Sequence, residues 1–259
     1  GGTRAFGHSS LSLNLDYQNL SPYFRVYPSR TDFKQPYGMF SGAAQYRYTP
    51  DERTVFKLYA GYDRTSFSNY ADADRHLFAL SENNVYLTTT FRKRAASGWN
   101  WFFGAAYSFY DRRVGGAVTG GDAWSERQQE LHLKVRSFRQ FTPWLRLDAG
   151  VETFIRSYRD YYRFELLYDE NRMYPTICEG FLSSIFYLSE HFKTELSFRP
   201  EYVSLNRRMN WSPRAAVSYA WNRLSISVVA GQYTQLPGNK YLIKNTALPS
   251  NICRQTLFS

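Results

Sequence analysis

Trp99-Asn100-Trp101-Phe102-Phe103-Gly104-Ala105-Ala106-Tyr107-Ser108-Phe109 is the stretch on which the fold turns. Trp99, Trp101, Phe103, Ala105, Tyr107 and Phe109 occupy every second position, so in an extended chain all six stand on one face. A helix, with its period of about 3.6 residues, would scatter them around its circumference. The strand they define meets different surroundings on its two sides.

The same rule runs outward in both directions. Toward the N-terminus, Leu11, Leu13, Leu15 and Tyr17 alternate with Ser12, Asn14 and Asp16, and a long polar connection covers Leu20 to Met39. Phe40, Gly42, Ala44, Tyr46 and Tyr48 follow, and Pro50-Asp51-Glu52 turns the chain, since proline presets φ and aspartate bonds the nearby backbone. Thr54, Phe56, Leu58, Ala60 and Tyr62 return, a loop is expected from Arg64 to Glu82, and Val85, Leu87, Thr89 and Phe91 lead to the turn Ala95-Ala96-Ser97-Gly98. Beyond Phe109 lies a glycine-rich connection, Arg112 to Glu126. Leu131, Leu133 and Val135 then face away from Glu130, His132, Lys134 and Arg136. A turn at Gln140 to Pro143 gives Leu145, Leu147, Ala149 and Val151, opposed by Arg146, Asp148 and Glu152. A long connection from Tyr158 to Thr176 precedes strands at Ile177–Tyr187, Lys193–Tyr202, Arg214–Tyr219 and Leu224–Ala230, with a loop at Leu205 to Trp211 and a short turn at Asn222.

The count is roughly eleven antiparallel strands of about ten residues, the length that crosses a hydrocarbon core when tilted. Short connections alternate with long ones, as on the periplasmic and extracellular rims of outer-membrane barrels. Aromatics cluster at both strand ends: Tyr48, Trp99, Phe141, Trp144, Phe192 and Trp221 near the short turns; Tyr17, Tyr62, Phe109, Tyr158, Tyr202 and Tyr233 near the long loops. That is the placement of girdles at headgroup level. Composition agrees: 19% aromatic residues, yet a mean hydropathy of −0.51, which suits an apolar band around a wet interior. No apolar run is long enough for a transmembrane helix. The fold class is therefore all-β, a transmembrane barrel segment.

The net charge of +10 raises nucleic-acid binding. The basic residues, however, come as singles and small groups (Arg92-Lys93-Arg94, Arg112-Arg113, Arg207-Arg208) at strand ends and loops, and no nucleic-acid motif accompanies them. A solvated lumen and loops account for the charge. Cys178 and Cys253 have no metal or redox spacing and fall on strands too far apart to be bridged. The start, Gly1-Gly2-Thr3-Arg4, lacks the pattern of a secretory signal.

No nucleophile elbow, zinc-protease, phosphate-loop or dinucleotide motif is present, so no catalytic residue, metal ligand or cofactor is assigned. Of four isolated histidines only His132, beside Glu130 and Lys134, sits in a polar cluster, read as barrel wall. Gly115–Gly121 reads as a flexible surface loop, and Asp72, Asp74 and Glu82 as exposed solubilising charge. The residues best suited to a ligand are Arg112, Arg113, Trp124, Tyr161, Tyr162 and Arg163, cations and aromatics at the long loops able to pair with and stack on an anionic chelate or glycan.

Four stretches carry a family resemblance. SSLSLNLDYQNLSPYFRVYP (Ser9–Pro28) resembles the opening of one barrel section in TonB-dependent outer-membrane receptors of Bacteroidetes type. NWSPRAAVSY (Asn210–Tyr219) is similar to that family's strand with a Pro-Arg pair. It is followed in the family's order by GQYTQLP (Gly231–Pro237) and KYLIKNTAL (Lys240–Leu248). The resemblance implies a protein of the cell outer membrane, held in its lipid, that imports a scarce nutrient such as an iron chelate, cobalamin or a glycan. It also implies a plug domain within a barrel of about 22 strands, driven by the TonB–ExbB–ExbD machinery. Residues 1–259 then correspond to part of the barrel alone, without plug or remaining strands, and a further strand is expected to begin near Thr256. The alternative in the residues themselves is a passive outer-membrane channel, secretion barrel or adhesin. An outer-membrane enzyme would need a catalytic cluster at the rim, and a soluble sandwich would have shorter strands.

Overall fold

Alternating side chains leave every backbone amide and carbonyl pointing sideways, to be satisfied by neighbouring strands. In a computed structural model, which describes residues 1–27, 33–70, 77–116, 123–164, 167–244 and 251–258, the chain meets that demand with one antiparallel sheet. Its strands are β1 (Gly2–Phe6), β2 (Ser9–Asn19), β3 (Phe33–Asp51), β4 (Thr54–Tyr70), β5 (Leu77–Arg94), β6 (Asn100–Gly115), β7 (Ala123–Thr142), β8 (Leu145–Phe164), β9 (Leu167–Met173), β10 (Thr176–Tyr187), β11 (Phe192–Val203), β12 (Arg208–Trp221), β13 (Leu224–Gln235) and β14 (Asn251–Phe258). Each pairs with the next in sequence, except that β9 folds back on the end of β8 while β10 takes over β8's remaining length. Two short helices, α1 (Ser21–Val26) and α2 (Asn239–Leu242), lie in connections on the long-loop side. Among the described residues β1 and β14 are the two edges and do not pair with each other.

Register fixes which side chains share a face. Phe103 stands opposite Phe91 and Val135, Ala105 opposite Thr89 and Leu133, Tyr107 opposite Leu87 and Leu131. The row continues through Leu133–Thr153–Cys178–Tyr202 and Ala149–Leu182–Phe198. The apolar side chains on this face are openly exposed: Leu133, Val151, Leu182, Leu196 and Ile226 among them. The opposite face carries His132, Lys134, Arg136, Asp148, Glu152 and Arg199. It is the concave face, because Arg199 on β11 reaches past β10 to Glu152 on β8 at 3.0 Å, and Asn239 beyond β13 reaches Gln128 on β7. A sheet that is apolar outside and ionic inside inverts the usual globular arrangement, and lipid is the solvent that makes it stable.

The strands outrun the expected ten residues: β3 to β8 have 16 to 20. The excess has a clear location. On β8 the outward apolar row ends at Ile155, and Ser157, Arg159 and Arg163 follow; on β7 it ends at Leu131, beyond which come Gln129 and Arg127. About eleven residues span the bilayer and the remainder projects beyond it, still paired. Among the described residues the expected long loops at 64–82, 112–126 and 158–176 are therefore largely strand, and of Leu205–Trp211 only residues 205–207 are turn, the end of a four-residue turn at 204–207 before β12.

Three strands escape the period-two reading: β1, β9 and β14. GTRAF and LYDENRM have no apolar alternation; they are held by backbone pairing at an edge or above the membrane. β14 begins at Asn251, not near Thr256. At the short turns Asp51 accepts the Arg53 amide at 2.7 Å, and Asn222 adopts a φ of 50°, which asparagine tolerates. The aromatic ends form outward contacts, Trp99 against Phe141 and Trp144 against Phe186 on one rim, Phe198 against Trp211 on the other. Tyr158 and Tyr233 are exceptions. Both sit one position out of phase with the apolar row and face inward, Tyr158 buried and Tyr233 beneath the Arg214 guanidinium. Cys178 is a free thiol on the outward face of β10, with three strands between it and β14, which carries Cys253.

Candidate functional site

The six cation and aromatic candidates all lie on β6, β7 and β8 beyond the apolar band, but the pleat divides them. Arg112, Trp124 and Tyr162 turn to the concave side. The Arg112 guanidinium sits 5.4 Å from the Tyr110 ring centre and 5.8 Å from that of Trp124, and Arg112 Nε donates to Glu82. Tyr110 donates to the same carboxylate at 3.2 Å, and Trp124 Nε1 donates to Asp160 at 2.7 Å. Tyr162, opposite Trp124 in the register, lies parallel to Phe164 and exposes its ring. Burial, and then the charge of Glu82, push the Tyr110 phenol up to about 12, so it remains a donor throughout the physiological range. Glu82 is thus a structural anchor, not the exposed charge its sequence context suggests; Asp72 and Asp74 lie outside the described residues, as do Gly120 and Gly121. Arg113, Tyr161 and Arg163 turn to the convex side, where Arg113 Nε donates to Asp111 at 3.0 Å and Tyr161 meets Tyr168 edge-on at 5.5 Å.

Just below the Arg112–Trp124 pair is a cavity of about 300 Å³ lined by Ser108, Tyr110, Gln128, Arg156, Tyr158 and Asn239. Its roof is the segment after β13, which crosses the concave side so that Leu242 is buried against Tyr158 and Met173. The sequence places Tyr158 in the aromatic girdle and gives Asn239 and Leu242 no site role: α2 and Gln128 are 111 residues apart, and no local pattern announces their meeting. The polar hydroxyls, amides and Arg156 could receive a small polar ligand, and the Arg112–Trp124 pair above them could hold an anionic or flat one.

Deeper in the concavity, Glu152 organises the wall. It accepts from Lys134 Nζ at 3.0 Å, from Arg199 Nη2 at 3.0 Å and lies 3.1 Å from His132 Nε2, with the His132 ring stacked on Phe154. His132 therefore partners Glu152 on the next strand, not its sequence neighbour Glu130, which pairs with Arg156. Beside it Arg136 and Arg146 share Asp148. Among the described residues no group of three or more His, Cys, Asp or Glu side chains is arranged to hold a metal ion.

An antiparallel sheet with an exposed apolar convex face, a charged concave face and strands projecting from one rim defines a class: the wall of a transmembrane β-barrel. The fold is that of outer-membrane transporter barrels. It matches the copper transporter OprC over 91% of this chain and 42% of that one, with a TM-score of 0.67 at 13% identity. It matches the ferric enterobactin receptor PfeA of Pseudomonas aeruginosa over 90% and 40%, TM-score 0.67, 9% identity. The outer membrane transporter YddB of Escherichia coli is similar over 90% and 37%, TM-score 0.69, 10% identity. The chain thus spans about two-fifths of the length of these proteins. No protein-family profile and no curated protein matches it by sequence.

Proposed function

We propose that residues 1–259 form part of the barrel of a TonB-dependent receptor in the outer membrane, whose whole protein imports a scarce small nutrient. The reading rests on one observation: a wall with lipid-facing and lumen-facing surfaces that follows transporter barrels for nine-tenths of its length. The activities of those proteins, copper transport and ferric enterobactin reception, favour import of a metal or its chelate; cobalamin and glycans are the other nutrients the resemblance implies. Arg112, Trp124 and Tyr162 touch the ligand at the mouth, and the Tyr110–Tyr158 cavity is the next stop inward. A plug inside the completed barrel, coupled to TonB–ExbB–ExbD, supplies the energy. The protein is not an enzyme in this reading and carries no resident cofactor.

The test is uptake. A strain lacking the gene for the whole protein is compared with wild type on radiolabelled ferric chelates, copper, cobalamin and oligosaccharides, each with and without TonB. Loss of one uptake that also needs TonB supports the proposal. Uptake that needs the gene but not TonB points to a passive channel, and unchanged uptake across the panel overturns the transport reading.

A further inference from the structure

Beyond the apolar band the sheet reverses which of its faces is apolar. On β4 to β8 the convex apolar rows end at Tyr62, Val85, Phe109, Leu131 and Ile155, and the next convex residues are Arg64, Asn83, Asp111, Gln129 and Ser157. Past those ends, on the concave side, the register sets Phe67 against Leu80, Leu80 against Val114, Val114 against Trp124 and Trp124 against Tyr162. These residues form one unbroken apolar row across β4 to β8. The convex row beside it is Ser66–Ser81–Arg113–Ser125–Tyr161, which is polar but for one tyrosine ring.

Strands that project into water have no lipid to face, so neither side is required to be apolar. Here the apolar residues gather on the inner side. Phe78 extends the row, its ring 5.8 Å from that of Phe67. Phe67, Leu80, Val114 and Trp124 are only half-buried, and Tyr162 is 44% exposed. Apolar surface left open at a wet mouth is unfavourable until something covers it.

The groups just inward indicate what that is. The next concave row is Thr65–Glu82–Arg112–Glu126–Asp160. Its hydrogen bonds are made locally: Glu82 accepts from Arg112 and Tyr110, Glu126 from Gln128, and Asp160 from Trp124. Below it lies the polar cavity of about 300 Å³, which is at the small end of ligand pockets. A compact polar head fits there, and the rest of a larger molecule then lies against the row above. We propose that Phe67, Leu80, Val114, Trp124 and Tyr162 receive the apolar body of the nutrient, whose polar head enters the cavity. The ligand class is an amphipathic molecule, a flat or branched apolar body on a small polar head. This rests on the import reading and sharpens it, because a bare metal ion or an unsubstituted sugar leaves the row uncovered.

The test uses the whole protein in amphipol, titrated with the dye 8-anilinonaphthalene-1-sulfonate and corrected for empty amphipol. Naphthalene-1-sulfonate and methanesulfonate compete with the dye; they share a head and differ in the apolar body. Roughly 80 Å² of apolar contact at about 25 cal/mol/Å² makes the naphthalene compound on the order of 30-fold the better competitor. L80N/V114T should weaken dye binding about tenfold, whereas L80M/V114I should stay within about twofold of the unaltered protein. The competitor ratio is read on the unaltered protein and stands even where a variant fails to fold. Equal competition by the two sulfonates, or dye binding unchanged in L80N/V114T, overturns the proposal. So does a whole protein that excludes the dye, since its own chain then covers the row. TonB-dependent uptake is measured separately in cells: its failure with dye binding intact strikes the transport reading alone, and lost dye binding with uptake intact strikes the ligand class alone.

Discussion

Val151 and Ile155 are both outward on β8 and both well exposed, at 57% and 46%, yet arginine should be tolerated at only one of them. The outward row from Leu145 to Ile155 covers ten steps of roughly 3.3 Å. Tilted by about 40–45°, it rises about 25 Å, the height of a barrel's apolar band. Val151 is six steps along, within about 2 Å of the midplane, whereas Ile155 is at the loop-side edge. Arginine on a lipid-facing strand costs about 2–4 kcal/mol at the midplane and about 0–1 kcal/mol near an interface. Val151→Arg should therefore destabilise by about 2–3 kcal/mol more than Ile155→Arg.

The assay is equilibrium urea unfolding from phosphatidylcholine vesicles, followed by tryptophan fluorescence. The depth dependence is what matters. If the convex face met water, both substitutions would sit on an exposed surface and each would stay within about 0.5 kcal/mol of wild type. Equal costs at the two positions, or a Val151→Arg protein as stable as wild type, would refute the assignment of this face to lipid.

Glu152, one residue further and on the other face, should respond to a different change. Glu152→Gln leaves Lys134, Arg199 and His132 facing a neutral group and should cost about 2–4 kcal/mol in the same unfolding assay, below the full price of breaking a buried pair because the cations keep some solvent. Trp124→Ala and Arg112→Gln should each weaken the half-saturation of uptake about tenfold without lowering the amount of protein in the membrane. Hydrogen bonds from Arg172 and then Tyr168 hold the Glu170 carboxyl below its ordinary range. A lowered folded value means that this contribution is complete above the unfolded carboxylate pKa and lost as pH falls through the depressed one. Amide exchange in β9, compared between neutral pH and acid after correction for intrinsic rates, should show protection falling in acid; a pH-independent β9 would contradict it. Leu242→Ala, which empties the contact with Tyr158 and Met173, should raise exchange at residues 239–243 while β7 and β8 stay protected.

Legibility followed solvent. Where one face met lipid and the other the lumen, the alternation was complete, and all eleven strands expected from it are present. Past Ile155 on β8 or Leu131 on β7 both faces meet water, the alternation has no reason to persist, and the strand continues through Arg156-Ser157-Tyr158-Arg159 with nothing in the letters to distinguish it from a loop. β9 is the extreme case, a strand of mostly polar residues recognisable only by its pairing with β8. The division of the six candidates was legible in principle: counting by twos from Phe109 puts Arg113 outside and Arg112 inside. What no counting could supply is the 111-residue reach from Asn239 to Gln128, because it depends on the curvature of the whole sheet.

Curvature also resolves the charge. From β7 to β11 the concave wall neutralises itself, with Asp148, Glu152, Glu179 and Glu195 against Lys134, Arg136, Arg146 and Arg199. In the turn-side half of β3 to β6 the same face carries Arg47, Lys57, Arg92 and Arg94, with Glu52 of the β3–β4 turn as the carboxylate at its margin; Asp16, Asp63 and Glu82 all lie in the loop-side half. The guanidinium of Arg92 rests on the ring of Phe102 at 5.3 Å, beside a cavity of about 520 Å³ that Arg94 and Arg136 also line. The net +10 is therefore not spread as a solubilising coat. A substantial part of it lies on outward arginines of β6 to β9 beyond the apolar band and on an inward patch near the turn rim. Under the proposed import reading, an anion drawn through the concavity would meet Arg112 at one end and Arg92 and Arg94 at the other, with a self-paired wall beside its path, so that attraction at the two ends would not become a trap in the middle.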